Sequence, residues 1–167
     1  MSRISISLKE IFISIFIVMI MTAIAIPNYI TSRDRTRIAE VISNMHTIQL
    51  AAEDFSTMAE GYYPGGIKTT VHQVVPYSPN KSCIAGAEKP PFPSNALISP
   101  LGFQNPFSYC FPAIKNGRIV VRVKGCVYYS AYDQNGNIVG EGEAAFRYEI
   151  RGVGRGIPII FTLSSGE

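Results

Sequence analysis

The sequence predicts an α+β protein in which one long N-terminal helix packs on a C-terminal antiparallel β-sheet. Two observations lead to this fold class. First, apolar residues form one unbroken stretch near the N-terminus and then recur at three- and four-residue steps, as in an amphipathic helix. Second, short segments rich in Val, Ile, Tyr and Phe, separated by turn residues, occupy the last third of the 167-residue chain.

The N-terminal stretch is long and apolar enough to cross a membrane. No charged residue lies between Glu10 and Arg33, and as a helix this segment is about 33 Å long, against a hydrocarbon core of about 30 Å. A secretory signal peptide is one alternative, but its apolar region is roughly 7–15 residues, whereas here the pattern continues past the weak cleavage site at 22–25. A simple membrane anchor is another alternative, but it explains only the apolar stretch and not the residues that follow it.

The helix is predicted to continue well beyond the apolar stretch, over residues 33–60. Pro27 removes one backbone donor and is expected to kink the helix without ending it. Gly61 supplies a stop signal, so that one helix extends from about Ile6 to Ala59. Apolar residues at helical spacing predict the buried stripe of this second half: Ile38, Val41, Ile42, Met45, Ile48, Ala52, Phe55, Met58 and Ala59.

Glu10 is unusual because it stands at the membrane end of an apolar helix. An ionisable group within a membrane span costs on the order of 2.5–3.5 kcal/mol at mid-bilayer, and by default it indicates a functional partner. The simpler interpretation, that Glu10 and Lys9 lie in the headgroup layer, has equal weight on residue chemistry alone.

The segments 8–13 and 22–29 together resemble the N-terminal signature of type IV pilins and type II secretion pseudopilins. In that family a short basic leader precedes the mature chain, which has glutamate at its fifth position and proline at its twenty-second. Counting back from Glu10 and from Pro27 gives the same first residue, Ile6. Further similarity in 39–49 and in 61–64 extends the resemblance to about residue 64.

The resemblance implies how the chain is processed. A prepilin peptidase would remove residues 1–5 by cutting between Ser5 and Ile6, and Ile6 would then be N-methylated. Glu10 would meet the N-terminal amine of a neighbouring subunit, and Pro27 would belong to the shared assembly helix. This chain has Ser5 where the family usually has Gly, Ile6 where Phe or Met is usual, and Lys9 beside the glutamate. An uncleaved, anchored form is the alternative.

The function implied by the resemblance is that of a structural subunit in a type IV pilus-like filament. The alternatives are a type II secretion pseudopilin that drives protein export and a membrane-anchored periplasmic binding domain. The implied partners are further copies or related pilins, a prepilin peptidase, an inner-membrane assembly platform and the membrane itself. The implied location is the bacterial inner membrane, as a single-pass protein, and after assembly a periplasmic or cell-surface filament.

Composition and charge favour no catalytic or nucleic-acid-binding function. The net charge is +3, and the Lys and Arg residues are scattered in sequence, whereas a nucleic-acid surface needs a clustered basic face. The chain has two His residues, and no pair of its three Cys residues has CxxC spacing. We therefore expect no catalytic residue, cofactor or metal ligand, and no enzymatic activity.

The remainder of the chain is predicted as a loop-rich connecting segment, 61–106, followed by the sheet, 107–167. Proline recurs throughout the connecting segment. Asn116-Gly117 is a favoured hairpin turn between two of the strands. The predicted strands are 107–111, 118–123, 127–132, 146–150 and 158–163.

Two smaller predictions concern Cys chemistry and calcium. The odd number of Cys residues predicts one disulfide and one free thiol among Cys83, Cys110 and Cys126, with the pairing undetermined. The hairpin at 116–117 would make a bond between Cys110 and Cys126 awkward and would favour Cys83 as a partner. The segment 133–137 resembles a calcium loop in composition, but it lacks the glycine and glutamate of an EF-hand, so a turn is favoured.

Overall fold

The structure is a computed structural model that describes residues 8–74 and 103–165. The chain divides between Thr36 and Arg37 into two compact units. The elements in chain order are α1 Leu8–Met58, β1 Tyr63–Pro64, α2 Val71–Val74, β2 Ile114–Asn116, β3 Val127–Tyr132, β4 Ala144–Ala145, β5 Arg147–Val153 and β6 Pro158–Ser164.

Helix α1 is continuous over 51 residues and ends at Met58, one residue before the predicted end. Its C-terminus is closed by two residues in the left-handed region, Glu60 at φ 55° and Gly61 at φ 92°. The Gly61 N–H donates to the Ser56 carbonyl at 3.0 Å, which is a Schellman-type bond that satisfies a terminal helix acceptor. The predicted stop at Gly61 is confirmed.

The strands form two sheets. The larger has the order β2-β3-β5-β6, in which β3–β5 and β5–β6 are antiparallel and β2–β3 is parallel. The smaller joins β1 to β4 in antiparallel fashion. One long helix packed on a mixed, largely antiparallel sheet confirms the predicted α+β class.

The core lies between the second half of α1 and one face of the larger sheet. Because strand side chains alternate between faces, β3 and β5 each direct every second residue toward the helix. The fully buried core residues at this interface come from α1 (Val41, Met45, Ile48, Ala52), β3 (Val127, Tyr129, Ala131) and β5 (Tyr148, Ile150). The larger sheet therefore covers the predicted apolar stripe of α1 as far as Ala52, whereas Phe55 and Ala59 pack with Val71 in a separate cluster.

A tyrosine–glutamate cluster supplies the polar part of this core. The Tyr148 hydroxyl donates to Glu53 Oε1 at 2.6 Å, and the Tyr63 hydroxyl donates to Glu53 Oε2 at 3.2 Å. The Tyr129 hydroxyl donates to the Pro64 carbonyl at 2.8 Å. Burial, together with the Glu53 carboxylate, raises the pKa of Tyr148, so its hydroxyl keeps the proton that the hydrogen bond requires.

The predicted hairpin at Asn116-Gly117 and its two flanking strands, 107–111 and 118–123, are wrong. Asn105 Oδ1 accepts hydrogen bonds from the backbone of Phe107 at 2.9 Å and of Ser108 at 3.2 Å, which holds this segment in turns. Val120 and Val121 have strand-forming side chains but are 88% and 65% exposed, and none of the described strands pairs with them. Residues 114–116 form the strand instead, parallel to β3.

Other parts of the prediction are confirmed or need smaller corrections. The strands β3, β5 and β6 lie where the segments 127–132, 146–150 and 158–163 were predicted, within a few residues. The connecting segment contains β1 and α2, which were not predicted, and residues 75–102 of that segment lie outside the described residues. Strand β4 was also missed, because a two-residue strand has no sequence period to detect.

Gly152 marks the closest approach of the sheet to the helix. A Cβ atom at this position would lie 2.6 Å from Met45 Sδ, 2.9 Å from Ile159 Cδ1 and 3.1 Å from Val41 Cγ1. All three distances are shorter than an ordinary van der Waals contact. Only glycine lets β5 pack this closely against α1.

We therefore expect Gly152→Ala to destabilise the protein by about 1–3 kcal/mol, the usual cost of overpacking a core. Gly154→Ala is the matched control, because its added Cβ would meet Ile38 Cγ1 at 3.5 Å, an ordinary contact. Urea denaturation followed by circular dichroism measures both. Equal stability of the two variants would contradict the close packing at Gly152.

Candidate functional site in the N-terminal helix

The N-terminal part of α1 exposes a continuous apolar surface. Its large apolar side chains between Leu8 and Ile30 are all at least 46% exposed, and they lie on every side of the helix because they occupy nearly every position. Among the described residues, α1 is the one helix that is long and apolar enough, by length and composition, to cross a membrane. An exposed apolar surface of this size is typical of a membrane or association surface.

The hydroxyl side chains of this segment bond to the helix itself. Ser14 donates to the Glu10 carbonyl at 2.9 Å, Thr22 to the Val18 carbonyl at 2.6 Å and Thr31 to the Pro27 carbonyl at 2.9 Å. Each bond reaches back four residues. Because polar groups in lipid must be satisfied internally, these bonds make the segment compatible with an apolar environment despite its Ser and Thr residues.

The structure places Pro27 inside α1 and Glu10 in the first turn of the described helix. Pro27 cannot donate to the Ala23 carbonyl, yet the helix continues through it, as predicted. Ser5 and Ile6 lie outside the described residues, so the cleavage and methylation sites stay predictions.

The Cys residues differ sharply in accessibility. Cys110 is exposed and Cys126 is buried, and the two are not bonded to each other. Burial raises the pKa of Cys126 to about 11, against smaller lowering effects of Lys115 and of a hydrogen bond with Tyr128. Cys83 lies outside the described residues, so the predicted disulfide stays untested.

The segment 133–137 forms the predicted turn between β3 and a bridge at Ile138. Asp133 Oδ1 accepts from the Asn137 backbone N–H at 2.8 Å, and Oδ2 accepts from Asn137 Nδ2 at 3.1 Å. These bonds lower the pKa of Asp133. Both carboxylate oxygens are thus engaged within the turn. No group of three His, Cys, Asp or Glu side chains within 8–74 and 103–165 could hold a metal ion.

The larger sheet carries a group of arginine side chains on its outer face, which is the face opposite to α1. The sequence did not predict this group. Arg147 and Arg151 alternate along β5 with the buried residues Tyr148 and Ile150, and Arg118 joins them from the loop after β2. The alternation of Arg147, Glu149 and Arg151 was visible in the sequence as a charged strand face. The contribution of Arg118 was not visible, because it depends on the loop that replaces the expected hairpin.

No protein-family model, curated protein or solved structure matches this chain. A functional assignment therefore depends on the residues and their placement alone.

The burial of Cys126 gives a direct test of thiol accessibility. In reduced, native protein at pH 8, maleimide should label Cys110 and leave Cys126 unlabelled, because Cys126 is inaccessible and stays protonated below its raised pKa. Cys126 should become reactive in denaturant or as the pH approaches 11. Peptide mapping by mass spectrometry measures the labelling. Native labelling of Cys126 as fast as that of Cys110 would contradict this placement.

Proposed function

We propose that this chain is a structural subunit of a type IV pilus-like filament, held in a membrane before assembly. One observation carries the proposal: a helix with an exposed apolar segment has Glu10 and Pro27 at the spacing that the pilin family uses. The same helix continues into a half whose apolar stripe is covered by a sheet. An ordinary membrane anchor has no need of that continuation.

Assembly would transfer the apolar segment from lipid to a bundle of identical helices. Little hydrophobic free energy is gained in that step, because lipid tails are as apolar as the side chains, so close packing and polar contacts must supply the preference. A salt bridge between the Glu10 carboxylate and the freed amine of a neighbouring Ile6 would supply such a contact. Pairing two charges in an apolar bundle offsets part of their desolvation cost, and the pair would thereby set the register between subunits.

Two other functions are consistent with part of the same observations. A type II secretion pseudopilin would use the same helix in a short periplasmic filament, and electron microscopy of cells lacking the chain separates the two by the presence or absence of surface pili. A membrane-anchored binding domain would keep residues 1–5, and the mass of the mature chain separates it from both filament subunits.

The intact mass of the protein purified from its own cells should correspond to loss of residues 1–5 and addition of one methyl group. Cleavage next to Ser5 requires a small residue there, so Ser5→Gly should be processed in the same way and Ser5→Leu should retain the leader. Retention of residues 1–5 in both the natural chain and Ser5→Gly would contradict prepilin processing.

Glu10→Leu should leave membrane insertion intact and reduce incorporation into filaments by roughly tenfold or more, because the neighbouring amine loses its buried partner. Immunoblots of membrane and sheared-filament fractions measure the two pools. Ile11→Leu is the control, since it alters the same turn of the helix without removing a charge. Glu10→Leu filaments at the level of the control would contradict the assembly role.

A further inference from the structure

The outer face of the larger sheet carries a polar groove that the proposed filament function does not use. This face is opposite to the one that packs on Val41 and Met45. Two adjoining hollows of about 290 and 370 Å³ share Arg118, Tyr132 and Glu149 in their walls. We call the two together the arginine groove. Each hollow is close to the lower end of the volume range for sites that bind small ligands.

The groove has excess positive charge. Glu149 is already engaged: its Oε1 accepts from Arg151 Nε at 2.8 Å and Nη2 at 2.5 Å, and its Oε2 accepts from the Tyr132 hydroxyl at 3.0 Å. Within the described part of the chain, neither Arg118 nor Arg147 forms an ion pair with a carboxylate. Three arginines against one glutamate leave a formal charge of +2 in the groove, within a chain whose total is +3.

Both unpaired guanidinium groups are held by the same aromatic ring. Arg147 Cζ lies 5.4 Å and Arg118 Cζ 5.9 Å from the centre of the Tyr132 ring, within the range of a cation–π interaction. Stacking orients the planar guanidinium fork but leaves its N–H groups available to a ligand. The Tyr132 hydroxyl is fixed in turn by its bond to Glu149.

Backbone contacts position the loop that carries Arg118. The Gly117 N–H donates to the Tyr129 carbonyl at 2.8 Å, immediately before Arg118. Further along, the Tyr128 hydroxyl donates to the Val121 carbonyl and accepts from the Val123 N–H at 3.4 Å. Arg147 is fixed independently, because β5 pairs it with Tyr132 of β3. Both arginines also line the hollow of about 370 Å³. Because their backbones are positioned before any ligand arrives, the entropic cost of binding is lowered.

The remaining walls of the groove are neutral and rich in hydroxyl groups. Ser130 lines one hollow, and Thr162 and Ser164 on β6 line the other. These side chains, with the free lone pairs of Glu149, suit a ligand that carries hydroxyl groups as well as one anionic group. A nucleic acid fits less well, because a nucleic-acid surface neutralises many phosphates along the backbone, whereas three arginines line this groove.

We propose that the arginine groove binds a hexuronate residue of an acidic polysaccharide. The sugar carboxylate would accept hydrogen bonds from the guanidinium groups of Arg118 and Arg147, and the sugar hydroxyls would bond to Glu149 and the β6 side chains. This inference concerns the outer sheet face alone and holds whether or not the chain assembles into filaments.

The test is a calorimetric titration of the full chain, in neutral detergent micelles, with tetragalacturonate. Saturable binding is expected, and Arg118→Gln or Arg147→Gln should each weaken it on the order of tenfold, the effect of losing a charge-assisted hydrogen bond. Arg122→Gln is the matched control: it removes one exposed arginine from the same loop, outside the groove, and should change affinity less than about twofold. Circular dichroism checks that all three variants keep the fold.

Titrations with other ligands test whether the groove prefers an acidic polysaccharide. Neutral maltotetraose should not bind, and inorganic phosphate and a short DNA duplex should bind more weakly than tetragalacturonate. Absence of binding by tetragalacturonate, or an equal loss in Arg122→Gln, would overturn the groove as a site. Tighter binding of the duplex, or equal binding of monomeric galacturonate, would overturn the acidic polysaccharide as its ligand.

Discussion

Burial of the apolar stripe of α1 against the sheet is the interaction on which the rest of this structure depends. The part of the stripe that the sheet covers repeats every three or four residues from Val41 to Ala52, whereas the strands alternate every second residue. The sheet can cover the stripe only if one set of alternate residues faces it. Burial of Tyr129, Tyr148 and Ile150 then fixes the other set on the outer face. The arginine groove is therefore a geometric consequence of how the core is packed.

The two halves of α1 suit different surroundings because their apolar residues are arranged differently. Residues 11–32 are apolar at nearly every position, so no face of this part suits water. The later half confines its apolar residues to one stripe and presents charged side chains elsewhere, so a sheet on one side is sufficient. Pro27 lies within the first part, where Thr31 bonds to its carbonyl. One helix can thus serve two environments without a break.

The parts of the fold that could be predicted from the sequence are those with a clear local pattern. The helix repeats its apolar residues every three or four positions, and β3, β5 and β6 are short runs rich in Val, Ile, Tyr and Phe. The segment 118–123 has an equally strong strand composition, but none of the described strands pairs with it. The tendency of a residue to form a strand depends on its partner strand as much as on the residue itself. The groove was missed for the same reason: the chain separates Arg118 from Arg147, and only the register of β5 with β3 brings both to Tyr132.

Because side chains alternate between the two faces of a strand, substitutions in the arginine groove and in the assembly helix should have independent effects on free energy. Arg147 precedes Tyr148, yet the first points into the groove and the second into the core, where its hydroxyl bonds to Glu53. Substitution at Arg147 therefore leaves the packing of α1 untouched. Glu10 belongs to the compact unit that ends at Thr36, whereas Arg147 and Tyr148 belong to the other unit, and effects at independent sites add. A change in the groove can alter ligand choice without changing assembly, which is the physical condition for the two functions to vary independently.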